Sequence, residues 1–121
     1  MTVRGVRGAT TVSQDEQQAV LEATGQLVQT MASENKLKAD DIVSVLISTT
    51  VDVQSAFPAK AVRTIEGWTY VPVMCMHEMD VSGGMPLCIR VLMHVNTEMS
   101  QQDVVHVYQN EAVQLRPDLK R

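Results

Sequence analysis

The chain has 121 residues, of which 45% are hydrophobic and only 3% aromatic, so a single domain with a core of Val, Ile, Leu, Met and Ala is expected. Its net charge of -4 and the lack of any basic run interleaved with aromatics exclude a nucleic-acid partner. No apolar run is long enough to span a bilayer, and MTVRGVRGATTV lacks the apolar stretch and cleavage site of a signal peptide; a cytoplasmic protein without a membrane partner is therefore expected.

Residues 2–12 read as a first strand, with Val3, Gly5, Arg7 and Ala9 on one face and Arg4, Val6 and Gly8 on the other. Taken as an edge strand, it leaves Arg4 solvated; Arg7, flanked by Gly5 and Gly8, is open to either a solvated or a ligand-binding role. Ser13 to Glu16 has the form of a capping box, which starts a helix at Gln14. Val20, Thr24, Leu27 and Met31 form its apolar stripe, and Asn35 is placed to end it in a left-handed cap. Lys36 to Asp41 is a polar connector. Ile42 to Thr49 is a nearly unbroken apolar run and reads as a central strand. Phe57-Pro58 opens a short helix that carries Lys60 and Arg63 on one side and ends at Gly67.

The stretch YVPVMCMHEMDVSGGMPLCIRVLMHVNT, from Tyr70 to Thr97, holds two apolar runs around Gly83-Gly84 and reads as two strands joined by an extended hairpin loop. In the second run Arg90 shares a face with Cys88, Leu92 and His94, while Ile89, Val91, Met93 and Val95 fill the other. Strict alternation puts Cys75 and Glu78 on opposite faces. Residues 100–110 suggest a short helix or turn, and Glu111 to Leu115 a final strand stopped by Pro117. The order of elements predicts an α+β fold over residues 1–121, with a mixed sheet and its helices on one side. The face carrying Arg90 then needs a partner, and a homo-oligomer is the simplest.

No GxSxG, Walker loop or GxGxxG is present, and His77, His94 and His106 lack metal-site spacing. Cys75 and Cys88 form no CxxC; as free thiols in a reducing compartment they read as small buried hydrophobes. Cys75 and His77 alternate onto one face, but no third group orients them as a nucleophilic pair. The unusual feature is a set of cations without evident partners: Arg7, Lys60, Arg63, Arg90 and Arg116. Arginine forks suit carboxylates and phosphates, so the residues point to a small-anion site, with carboxylates favoured.

VRGVRGATTV at the start, FPAKAVR at 57–63, GWTYVPV at 67–73, CMHEMDVSGGMPLCIRVLMHVNT at 75–97, HVY at 106–108 and LRPDL at 115–119 together resemble the monofunctional α/β chorismate mutases, which are unrelated to the all-helical ones. The resemblance runs over nearly the whole chain. It implies a chorismate-mutase-like, ferredoxin-like sheet assembling as a trimeric pseudo-barrel, with active sites between subunits. It implies conversion of chorismate to prephenate, on the route to phenylalanine and tyrosine, with no cofactor or metal. Carried over by position, Arg90 donates to the ether oxygen and a carboxylate, Arg7 binds a carboxylate with Tyr108, and Glu78 accepts from the ring hydroxyl with Cys75 near it. Phe57, Ala59, Val73 and Leu115 line the apolar wall, and Lys60, Arg63 and Arg116 set the field at the mouth. Met74 stands where the family pattern has a small hydroxyl residue. The chain closes soon after LRPDL, where family members often carry a longer tail; both departures imply an altered substrate affinity. Two other readings share the scaffold: an imine deaminase-like trimer and a non-catalytic carboxylate-binding regulator.

Overall fold

The computed structural model describes residues 2–115. Strand β1 (Thr2–Thr11) is followed by helix α1 (Gln17–Glu34), β2 (Ile42–Thr49), helix α2 (Ala59–Arg63), β3 (Val73–His77), β4 (Cys88–Thr97) and β5 (Val107–Tyr108). Short 3-10 turns lie at Ala39–Asp41, Gln101–Asp103 and Asn110–Leu115. The sheet order is β3-β2-β4-β1-β5. β4 runs antiparallel to both β1 and β2, while β3 is parallel to β2 and β5 parallel to β1.

The period-two pattern decides what faces the helices. Val6, Val45, Ile47, Ile89, Val91, Met93 and Val95 are buried on that side, with Val20, Leu27, Val28 and Met31 of α1 and Val62 of α2 packed against them. Gly8 lies under α1, where a Cβ would stand 2.5 Å from Met31 Sδ and 3.1 Å from Leu27 Cδ1, so the missing side chain sets how closely the helix approaches β1. The opposite face carries Arg7, Arg90, Leu92 and His94, as alternation along β1 and β4 requires.

Several sequence expectations are corrected. The two runs around Gly83-Gly84 are not a hairpin, because β2 lies between β3 and β4 and pairs with both. The crossover through α2 makes β3 parallel to β2, and a parallel pair needs such a connection. β1 is not an edge strand; it has β4 on one side and β5 on the other, and the Arg4 Nε donates to the Met99 carbonyl at 3.0 Å. α1 starts at Gln17 rather than Gln14, and no side chain caps it. The Asp15 carboxylate instead receives the amides of Gln54 and Ser55 at 2.9 and 3.1 Å, tying the α1 entry to the loop after β2. The Ser55 side chain does most to hold its pKa below the usual carboxylate range; burial opposes this, and the two amides add smaller lowering effects.

Asn35 does not take the left-handed cap either; Lys36 does, at φ 55°. The buried Asn35 amide donates to the carbonyls of Met31 and Val105, and its oxygen accepts the Val105 amide. That three-way clamp fixes the approach to β5. The predicted final strand at 111–115 is a 3-10 turn, entered through Asn110 at φ 55°. Asn110 donates to Thr10 Oγ1, and the Glu111 amide donates to Thr11 Oγ1, so the segment is bound by the end of β1 through side chains rather than a ladder.

Candidate active site

On the open face of the sheet, Ala9 stands opposite Arg90 and Arg7 opposite Leu92. Arg7 and Arg90 are therefore diagonal neighbours on one face, with backbones roughly 7–8 Å apart, within reach of two long side chains converging on one ligand. Tyr108 pairs with Ala9 from the other side. The Arg7 amide donates to His106 Nδ1 at 2.9 Å, which joins the residue before β5 to β1 and makes that ring nitrogen an acceptor. Arg7, Arg90, Tyr108 and Leu115 line a cavity of about 310 Å³ with Leu46, Ser48, Met76 and Leu92. The Arg7 side chain has no hydrogen-bond or ionic partner among the described residues.

Glu78 lies just past the end of β3. Its amide donates to the Thr49 carbonyl at 2.9 Å, and its Oε1 accepts from Arg90 Nε at 3.1 Å. The pair is partly exposed, Arg90 at 46% and Glu78 at 22%. Using Nε for Glu78 leaves the terminal guanidinium nitrogens of Arg90 for a ligand.

A second cleft, of about 800 Å³, lies at the start of α2 beside β3 and is lined by Phe57, Lys60, Arg63, Cys75, Met76 and His77 among others. Phe57 is 80% exposed, an unusual position for a phenylalanine. The Ala59 amide donates to Cys75 Sγ at 3.2 Å. Burial raises the Cys75 pKa, against smaller lowering effects from that amide and from Arg63, so the thiol is protonated at neutral pH. The His77 Nε2 lies 3.3 Å from the Val53 carbonyl rather than against the thiol. Burial also raises Cys88, most of all its causes, with Arg90 opposing. Ala59 is buried and Val73 half-buried beneath these positions, and Met74 projects from β3 at 62% exposure. Arg116 lies outside the described residues.

The sequence candidates thus fall into two groups on one chain: Arg7, Arg90, Glu78, Tyr108 and Leu115 around the first cavity, and Phe57, Lys60, Arg63 and Cys75 around the second. Met76 lines both. Leu46, Ser48 and Met76 were not among the candidates. Alternation along β2 could have exposed the first two, but the near-continuous apolar run of that strand hid its second face.

A family model described as chorismate mutase type I matches residues 3–119. The chorismate mutase AroH of Bacillus subtilis (strain 168) is 51% identical over 119 residues, covering 98% of this chain and 94% of that protein. The chorismate mutase AroH of Thermus thermophilus is 44% identical over 119 residues, covering 98% and 97%. The solved structure of a chorismate mutase from Clostridium thermocellum superimposes with a TM-score of 0.87 at 46% identity, covering 90% of this chain and 96% of that one. These matches separate the mutase reading from the imine deaminase reading, and the chain belongs to the type I chorismate mutase family.

Proposed function

We propose that this chorismate mutase works at a composite site, formed by the Arg7–Arg90 cleft of one copy and the Lys60–Arg63 cleft of its neighbour in a homotrimer. The reaction is the isomerisation of chorismate to prephenate in aromatic amino acid biosynthesis, a Claisen rearrangement within one molecule. One observation carries the assignment of the site. Each cleft presents two cations in a chain whose net charge is -4, and the one carboxylate the site includes, Glu78, is bonded to Arg90 Nε. Local charge therefore opposes global charge where a dicarboxylate would sit.

The rearrangement needs no nucleophile and no proton transfer, so the protein contributes position and electrostatics. Arg7, with the Tyr108 hydroxyl, binds a carboxylate. The free guanidinium edge of Arg90 donates to the ether oxygen as negative charge grows there, and to the second carboxylate. Glu78 steadies Arg90 and accepts from the ring hydroxyl. Leu115, and from the neighbour Phe57, Ala59 and Val73, supply an apolar wall that keeps the substrate compact. Lys60 and Arg63, with Arg116, raise the potential at the mouth; Cys75 and Met74 stand beside the ring as a protonated thiol and a thioether. A lining in which cations outnumber carboxylates also favours loading of a dianion.

The test is chorismate consumption by the purified chain, followed by ultraviolet absorbance without added metal or cofactor, with prephenate identified by acid conversion to phenylpyruvate. Sedimentation on the same sample reads the assembly. Turnover by a trimer is the expected result. Turnover by a monomer at the same specific activity overturns the composite site, and tight chorismate binding without turnover favours the regulator reading.

A further inference from the structure

The long excursion from Glu78 to Leu87 is closed at its neck by residues 49–52. On the incoming side, the Glu78 amide donates to the Thr49 carbonyl at 2.9 Å. On the outgoing side, the Thr50 amide donates to the Cys88 carbonyl at 3.0 Å, and the Cys88 amide donates back to Thr50 Oγ1 at 2.9 Å. A hydroxyl has one proton, and Thr50 gives it to Asp52 Oδ1, which keeps its lone pairs for Cys88. The other oxygen of Asp52 receives the Leu87 amide at 2.9 Å. Leu87 is held at φ 51°, a left-handed conformation that a leucine adopts only under constraint. Its carbonyl is fixed as well, by the Val12 amide at 3.0 Å. One carboxylate therefore sets both the threonine that anchors the start of β4 and the strained residue just before it. Arg90 is three residues beyond Leu87.

We infer that Asp52 is a positioning residue for the rearrangement: acting through Thr50 and Leu87, it fixes the start of β4 and so the Arg90 guanidinium against Glu78. Without that carboxylate, Leu87 relaxes toward negative φ, the Thr50 hydroxyl is free to turn its proton to the Cys88 carbonyl 3.4 Å away, and β4 loses its stop. The guanidinium then samples positions from which it does not reach both Glu78 and the breaking bond. The inference rests on the assignment of Arg90 and Glu78 to the reaction.

The experiment is a set of steady-state measurements on the full chain. Asp52→Ala is expected to lower kcat by about 10- to 100-fold, the scale of a misplacement near 1 Å, with a smaller change in KM because Arg7 and Tyr108 are untouched. Asp52→Asn is expected to restore most of kcat, since its oxygen still accepts the Leu87 amide and its amide group can donate to Thr50 Oγ1. In a Glu78→Ala background, Asp52→Ala is expected to add little further loss, which a general loss of stability would not reproduce. A wild-type kcat for Asp52→Ala beside an impaired Glu78→Ala overturns the inference, whereas a fully active Glu78→Ala overturns the site assignment itself. If Asp52→Ala does not fold, Thr50→Val breaks the same chain at its next link while leaving the Asp52–Leu87 bond, and an unchanged kcat there is equally fatal.

Discussion

Arg90 illustrates why a guanidinium occupies this position. Its Nε bonds Glu78, which leaves its terminal nitrogens for the proposed substrate contacts, a division that a lysine ammonium on a flexible stem cannot make. The exposed ion pair adds little to stability, so its use is orientation. Arg90→Lys is expected to fold as the parent does and to lose about 10²–10³ in kcat, the cost of one preorganised donor. Circular dichroism checks the fold and the absorbance assay checks the rate; near-normal turnover would refute the assigned role. Cys75 makes the opposite case. Burial raises its thiol pKa by more than the Ala59 amide and Arg63 lower it, which holds it protonated and unreactive. Cys75→Ala is expected to change kcat by less than about tenfold, below the usual yield of a residue doing acid–base work, and an abolished activity would restore a cysteine mechanism.

At the scale of elements, the close approach of α1 to β1 holds the Arg7 strand in place. Gly8 permits it, and the nearest atoms to an added Cβ belong to Met31 and Leu27, both fully buried and unable to swing out into solvent. Gly8→Ala is expected to destabilise the fold by about 1–3 kcal/mol through overpacking, read as a lower denaturation midpoint. The same substitution in a Met31→Ala chain should cost less, because the clashing sulphur is gone; equal costs in both backgrounds would mean that the strain lies in the backbone instead. The elements also show where pattern reading failed. Val71 to Met79 and Leu87 to Val95 are each strand-like, and a glycine pair between them suggests a hairpin. Their partner is β2, because the buried helix faces of all three strands must meet α1 and α2 together. Pairing is decided by where the helices dock, which no local signal carries.

For the whole molecule, the open sheet face is the informative surface. Val3, Met74 and Met76 are exposed there at 57%, 62% and 42%, beside the Arg7–Arg90 cavity. Apolar exposure next to a charged cleft suits a face covered by another copy. The proposed composite site in a trimer can be tested directly. Chains carrying Arg90→Ala, and chains carrying Lys60→Ala with Arg63→Ala, should each be nearly inactive alone. Refolded together in equal amounts as cyclic trimers, they should regain about a quarter of the wild-type sites, since one interface in each mixed trimer joins two intact halves. No recovery in verified mixed trimers would place both groups in one subunit's site.

Composition, alternation and helical period determined much of this protein directly. The limits of β2, the two faces of β1 and β4, and the buried stripe of α1 follow from side-chain periodicity, which is a local property of the chain. The motif set pointed to the family because so many specific residues recur together. Three things were settled only by tertiary structure. Asp15 bonds the Gln54 and Ser55 amides instead of leaving the α1 start to a local capping box, because the loop after β2 arrives beside it. Residues 111–115 wind into a 3-10 turn instead of a strand, because Thr10 and Thr11 offer hydroxyls there and no free strand edge. Cys75 and Glu78, three residues apart, lie at different clefts, because β3 ends between them and the chain turns to meet Arg90. Each depends on a partner distant in sequence, and period and propensity carry no record of it.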